Sequence, residues 1–499
     1  MRMTSLWLDR TSTIPTDAPD GPGSERRFDE IVVGAGITGL VTALLLARAG
    51  HRVAVLEARE VGAVATGNTT AKLSVLQGAH LQRIKRRTYQ AVVQAYVDAN
   101  LAGQRWMLDF AGQHDVPVER VDAVSYSTTH AGVETIRREL AVARLSGLPV
   151  ASASDVDLPF RTTAAVVLPD QAQFDPMIVL AALAAEFRGL GGRIIEGVRV
   201  TGARATKPVE VSTTAGGFEC DHLVLATGTP VLDRGLYFAK LSAHRSYAAS
   251  FTVTDQLPPH QYLSVDAPSR SIRTAQTADG VRLLVGGNGH GVGREPSPAA
   301  RVAELTTWTK RYWAGAERTH VWSAQDYETP HGVPFVGLLP RGRGRISIAT
   351  GYDKWGMTNG VQCAITLAAQ ILDTGLPNWA ATLHHRFTLP MAIARGVGMN
   401  AAVAKHYATG YTKALGRSLK PTPPREGWGT VGRVGFRPTA VSTVDGVTCR
   451  VSGVCPHLGA VVSWNDQERS WDCPAHGSRF TADGKLLEGP ATSGLPRRG

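Results

Sequence analysis

The segment Phe28–Glu60, FDEIVVGAGITGLVTALLLARAGHRVAVLEARE, constrains this chain more than any other. It reads as a short strand over Asp29–Val33, a glycine turn, an Ala/Leu-rich helix from Thr38 to Arg48 and a second strand over His51–Leu56. Gly34, Gly36 and Gly39 give the spacing G-x-G-x-x-G. The first glycine permits a tight turn, the second lets the backbone approach a pyrophosphate, and the third lets the helix lie on the strand. The helix N-terminus then faces the phosphates. Glu57 ends the second strand, where a carboxylate can accept ribose hydroxyls and repels a 2′-phosphate. Strand, helix, second strand and acid in register predict a dinucleotide-binding unit.

Two later stretches extend it. HLVLATG (His222–Gly228) is a buried strand ending in Ala-Thr-Gly. RISIATGYDKWGMTNG (Arg345–Gly360) is a strand, a glycine-rich loop and a helix from about Met357. One nucleotide fold assembled from the start, middle and end of the region Phe28–Leu376 resembles the D-amino-acid-oxidase-like FAD family. TGNTTAKLS (Thr66–Ser74) resembles the family's loop beside the pyrophosphate and flavin, and QAQFDP (Gln171–Pro176) precedes a helix. WSAQDYETPHGVPFVG (Trp322–Gly337) resembles the approach to the last flavin strand, with His331 where the family usually has an acid. The resemblance implies FAD, held by Gly34, Gly36, Gly39, Glu57, Thr69, Thr70, Lys72, Thr227, Gly228, Gly351, Gly356, Met357 and Thr358. LLVGGNGHGVG (Leu283–Gly293) does not fit the fingerprint, and no apolar helix follows it. It reads as a substrate-domain loop, so the chain lacks its own NAD(P)H fold.

Near the C-terminus, Cys455-Pro-His457 is followed after fifteen residues by Cys473-Pro-Ala-His476. Zinc sites use C-x2–4-C and H-x3–5-H spacings instead. The pattern resembles the Rieske [2Fe–2S] domain, in which two Cys hold one iron and two His the other. The resemblance makes Cys455 and Cys473 the thiolate ligands and His457 and His476 the imidazole ligands. Each loop supplies one Cys and one His, so the loops face each other from two hairpins, with strands expected at Val451–Val454, Ala460–Trp464, Ser470–Asp472 and Arg479–Thr481. Gly489-Pro490 resembles the third loop, which covers the cluster. Ala460 and Ala475 stand where respiratory members have an extra disulfide. Ser478 can donate to a bridging sulfide, while Phe480 replaces a Tyr of high-potential members; both bear on the potential. Cys220, Cys363 and Cys449 read as core residues.

The fold class is therefore an α/β Rossmann-like FAD-binding domain with an inserted α+β substrate domain, plus a small all-β Rieske domain. The expected boundaries are an N-terminal extension over 1–26, the FAD domain over 27–80, 155–240 and 320–376, and the substrate domain over 81–154 and 241–319. A basic helical linker over 377–426 leads to the Rieske domain at 427–499. Within the substrate domain, Leu81–Phe110 is one strongly helical pattern, and Val133–Leu145 another.

The net charge is +11, but no nucleic-acid-binding motif accompanies it, so nucleic acid is not an expected partner. No apolar run is long enough for a transmembrane segment, and the N-terminus lacks a signal-peptide core. An odd count of five cysteines argues for a reducing, cytoplasmic setting. Between Thr374 and Arg425 there is no Asp or Glu, while Arg386, Arg395, Lys405, Lys413, Arg417, Lys420 and Arg425 lie there. Two readings stand: a linker packed on an acidic face of the FAD domain, or a docking surface for an acidic carrier or membrane.

Candidate catalytic residues are His244, Arg245, Tyr247, Arg273 and Lys354, an arginine being able to grip a substrate carboxylate bidentately. The expected function is an FAD-dependent oxidoreductase that passes electrons between a small substrate, an amine or amino acid, and the Rieske cluster. An external one-electron carrier is then a further partner, reached through an exposed His457–His476 edge. The alternatives are a plain flavin oxidase or monooxygenase with a structural or reductant-receiving cluster, and a non-catalytic electron-transfer subunit.

Overall fold

The computed structural model describes residues 3–9, 13–19, 25–385 and 389–498. Arg386 of the linker and parts of the N-terminal extension lie outside these. The first of two large sheets has eight strands, with a central order Phe335–Leu338, Ile346–Thr350, Gly216–Leu225, Arg27–Val33, Val53–Leu56, Arg193–Ile195. From Ile346–Thr350 onward the neighbours run parallel. Their buried Val/Ile/Leu runs suit a sheet covered on both faces. Val33 pairs with both Leu225 and Leu56, so the chain leaves these strands at one edge through Gly34, Glu57 and Ala226–Gly228. That edge, outside the carboxyl ends of parallel strands, is where open α/β sheets bind ligands. Helix Ile37–Arg48 covers the sheet and packs on Pro176–Gly189 and Gly356–Ile371. Gly39 lets it do so: a Cβ there would lie 1.8 Å from the Gly34 carbonyl oxygen.

The second sheet has nine strands, in the order Glu317–Glu328, Ser242–Thr252, Gly280–Gly291, Arg270–Thr277, Gln261–Ser264, Val118–Ser127, Ala164–Phe174, Lys72–Leu73, with Ala151–Ala153 beside Ala164–Phe174. Three expectations change here. Lys72–Leu73, Ala164–Phe174 and most of Glu317–Glu328 belong to this sheet rather than to the FAD domain where the expected boundaries put them. Leu283–Gly293 is mostly strand rather than loop. Its glycines admit close neighbours, since a Cβ at Gly287 would stand 2.4 Å from the Ser269 carbonyl oxygen. The Leu81–Phe110 pattern divides into His80–Lys85 and Gln90–Gln113, because Tyr89 is extended (φ −90°, ψ 162°).

Past the FAD domain come helices Asn378–His384 and Pro390–Gly416. The C-terminal domain has a three-stranded antiparallel sheet, Trp428–Val434, Arg437–Val444 and Val447–Ser452, and a four-stranded one, Ser463–Asn465, Ser470–Asp472, Arg479–Thr481 and Leu486–Glu488. Two expected strands shift because the residues around Cys455 are taken up by a turn, in which the Cys455 amide donates to the Ala460 carbonyl. Trp471 and Phe480 fill the core between the cluster loops and the sheets. Helix Pro390–Gly416 packs mainly on the three-stranded sheet rather than on an acidic face of the FAD domain, although Arg395 reaches the buried Glu328 at 3.0 Å. Among the described residues, no helix is long and apolar enough to cross a membrane.

Candidate functional site

One cavity touches both large sheets. Its first end is lined by Gly34, Gly36, Glu57, Arg59 and Arg199, its middle by Thr66, Thr69, Thr70, Thr227 and Gly228, and its inner end by Ser246, Tyr247, Asp326, Tyr327 and Lys354. Gly36 is the N-cap of helix Ile37–Arg48 and has no side chain of its own; the Thr66 hydroxyl accepts the Ile37 amide at 3.1 Å, and the open space over Gly36 is where an anion can approach the helix N-terminus. Both Glu57 carboxylate oxygens accept backbone amides, from Ala35 at 2.9 Å and Arg59 at 2.8 Å. Each oxygen retains a lone pair for a ribose hydroxyl. Burial raises the Glu57 carboxyl above its usual value, against those amides.

The loop after Thr66 is pinned from three sides. The indole nitrogens of Trp7 and Trp322 donate to the Thr69 and Asn68 carbonyls at 2.7 and 2.9 Å. Arg273 donates to the carbonyls of Thr70 and Ala71 at 2.8 and 3.0 Å. Lys72 is buried in the wall, donating to Tyr262 O and Ser271 Oγ, and burial lowers its pKa well below the ordinary value. Gly351, Gly356 and Met357 also line the cavity. Thr358 does not: its hydroxyl donates to Asn100 Oδ1 and joins a buried amide network with Gln77. Gly39 serves packing only, as described above.

The catalytic candidates divide. Tyr247 and Lys354 line the inner end, the Tyr247 hydroxyl lying 3.1 Å from His290 Nε2. His244 does not line the cavity and stands 3.7 Å from Glu328. Both arginines are engaged within the protein, so neither is free to grip a substrate carboxylate. Arg273 is spent on backbone carbonyls and stacks over Trp7. Arg245, buried, pairs with Glu468 at 2.8 Å and Glu488 at 2.7 Å, both in the C-terminal domain.

Asp326 is a site residue that the sequence does not single out, although it lies within Trp322–Gly337. It lines the inner end, and its buried Oδ2 has no hydrogen-bond partner. Burial raises its carboxyl to about 7, against the nearby Lys354. Ser246 Oγ is similarly unpartnered. A lone acid at a strand end carries no sequence signal.

In the C-terminal domain, the Cys455–His457 and Cys473–His476 loops meet. The imidazole rings lie 5.1 Å apart at 87°, and both Nδ1 atoms are buried with no hydrogen-bond partner. Cys455 and Cys473 are buried and free. Two unsatisfied imidazole nitrogens and two buried thiols, one of each per loop, suit a two-iron cluster with a pair of ligands on each iron. The histidine edge is not open as expected: Phe238 packs edge-on against both rings, at 6.0 and 5.2 Å. His457 instead borders a cleft lined by Asp233, Arg234, Pro456 and Thr492.

The two sites share a wall. Leu487, Glu488 and Gly489 of the C-terminal domain line the same cavity as Gly36. Gln325, also in that wall, donates through Nε2 to the carbonyl of Gly477, the residue after His476, at 2.8 Å.

Residues 29–370 match the model of the FAD dependent oxidoreductase family. The chain belongs to that family. Residues 425–497 match the Rieske [2Fe-2S] domain. The protein is thus an FAD-dependent oxidoreductase with a Rieske iron–sulfur centre, and its cofactors are FAD and a [2Fe–2S] cluster. A relative, the Rieske 2Fe-2S iron-sulfur protein YhfW of Bacillus subtilis (strain 168), is 29% identical over 486 residues, spanning 96% of this chain and 95% of that one. Among solved structures, glycine oxidase from Geobacillus kaustophilus superposes with TM-score 0.60 at 20% identity, over 70% of this chain and 95% of its own. L-Amino acid deaminase from Proteus myxofaciens gives 0.58 at 14% identity, over 75% and 95%. Both share the fold of the first 370 residues or so.

Proposed function

We propose that this FAD-dependent oxidoreductase oxidises a small amine or amino acid and delivers the electrons one at a time, by way of its cluster, to an external carrier. When bound, FAD supplies the two-electron acceptor for the substrate and the [2Fe–2S] cluster the one-electron carrier. The observation that carries the reading is the shared wall: Leu487–Gly489 and Gln325 belong to the nucleotide cavity and to the surroundings of the cluster ligands at once. A cluster serving structure alone has no need of that position.

The inner end supports the substrate class. Asp326 offers an unpaired carboxylate to a substrate ammonium and, once ionised, can take its proton. Lys354 gives the same end a positive group that a substrate carboxylate would find, in place of the engaged arginines. Tyr247, Tyr327 and Leu263 make the rest of that wall largely apolar and exclude water.

The test is anaerobic stopped-flow mixing of the holoprotein with amino-acid and amine pools, followed at flavin and cluster wavelengths. Flavin bleaching followed by cluster reduction is expected. If the flavin bleaches, the cluster stays oxidised and O₂ consumption is indifferent to Cys455→Ser, the protein is a plain oxidase. If an external reductant fills the cluster first and the flavin follows, electrons run the other way.

A further inference from the structure

We propose that the exposed apolar ridge of helix Pro390–Gly416 and the hairpin tip beside its C-terminal end form a seat for the surface of an anionic lipid bilayer. Only Ala392, Met399 and Ala414 of this 27-residue helix are buried. Ile393, Val397 and Leu415 are 55%, 65% and 40% exposed. Their spacings of four and eighteen residues put them on one line of the helix, with exposed Ala401, Ala404 and Ala408 between them. Single exposed apolar residues are ordinary; an aligned ridge of them is not.

The hairpin adds a second, independent feature. The Arg433 amide donates to the Arg417 carbonyl at 2.7 Å, and the Leu419 amide to the Arg433 carbonyl at 3.2 Å, which sets the hairpin tip against the end of the helix. At that tip Phe436 is 93% exposed and Val434 50% exposed. Exposed Arg433 and Arg437 flank them, and exposed Lys413, Arg417 and Lys420 lie on the adjoining segment. From Thr374 to Val444 the one acid is Glu426. It accepts the Asp445 and Gly446 amides, at the end of the hairpin away from Phe436.

Apolar side chains ringed by Lys and Arg are the composition of an interfacial anchor. A bilayer fits better than the other occupants. A second copy would bring these cations against their own kind. A folded acidic protein would need a groove matched to a long convex ridge and a projecting phenyl ring, whereas lipid conforms to both. Phe436 would enter the headgroup boundary while the guanidinium and ammonium groups meet lipid phosphates.

The experiment is co-sedimentation of the holoprotein with large vesicles of phosphatidylcholine, with and without about one third phosphatidylglycerol. Binding is expected only with the anionic lipid, falling steeply between about 0.05 and 0.5 M salt. Phe436→Ser should weaken partitioning about tenfold or more. Arg433→Gln and Arg437→Gln should weaken it about fivefold each. All three variants should keep FAD and cluster absorbance and substrate-driven flavin bleaching, because these residues lie outside both cofactor sites. Absence of binding, equal binding to neutral vesicles, or indifference to Phe436→Ser overturns the proposal. So does a dimer in solution that Val397→Lys disperses, which would assign the ridge to a second copy.

Discussion

Replacing Arg245 with Met tests how the two redox domains are held together. Arg245 is 1% exposed and bonds Glu468 and Glu488 across the domain boundary, together with Ser323 and Gln325 on its own side. Arg479 meets the same two glutamates and Asp472 from within the C-terminal domain. The variant leaves two half-buried glutamates and the buried Asp472 around a single guanidinium. Removing one partner of a buried pair costs about 3–5 kcal/mol. The ion pairs it breaks bridge the two domains, so most of that cost falls on docking rather than on either core. It corresponds to a shift of about a hundredfold to a few thousandfold toward the undocked arrangement. Substrate-driven flavin bleaching should persist while cluster reduction slows by a similar factor, with cluster absorbance and FAD content unchanged. Arg245→Lys keeps the charge but loses the planar fork, and should fall between. The assay is the stopped-flow experiment above, with limited proteolysis at the 417–427 segment as a report of undocking. A variant that transfers electrons to the cluster at the unaltered rate would refute the claim that this network sets the arrangement of the cofactors.

Asp326→Asn should lower kcat/KM for an amine substrate about 10- to 100-fold and remove the acid limb near pH 7, since the ionised form present above about 7 is the one that holds the ammonium. His457→Ala should abolish the cluster and spare FAD, whereas Gly36→Val should do the reverse by filling the space over the helix N-terminus; iron and flavin assays on each purified variant decide it. Glu468 is depressed to about 2, because Arg245 and Arg479 together outweigh the upward push of burial. A depressed carboxylate gives stability that is present above its unfolded value of about 4.3 and is lost as pH falls through the folded one. Denaturant unfolding between pH 5 and 2 should therefore show a loss that Glu468→Gln largely removes.

Both cofactors were legible because their signals are local. The glycine turn and Glu57 lie within one βαβ unit, and the four cluster ligands fall within 22 residues. What could not be read depends on distance along the chain. Arg245 looked like a substrate grip because its partners Glu468 and Glu488 are 223 and 243 residues away. Trp7 belonged to an unremarkable extension until the fold set its indole under Thr69, 62 residues on. The break at Tyr89 carries no Gly or Pro, and the strand Gly280–Gly291 carries too many glycines for its pattern to announce a strand. For Arg245 and Trp7 a long-range contact, not local preference, decided the outcome.

The wall made by Leu487–Gly489 also bears on the order of biosynthesis. Synthesis runs from the N-terminus, so Gly34 and Glu57 emerge more than 400 residues before the segment that also lines their cavity. Until that segment leaves the ribosome and docks, a nucleotide can reach the cavity from its open side. Afterwards that side is lined by the domain that carries the iron ligands. If the nucleotide enters on that side, flavin loading precedes the docking of this segment and iron–sulfur insertion follows it, an order that pulse-labelled chains truncated before and after Leu487 would expose.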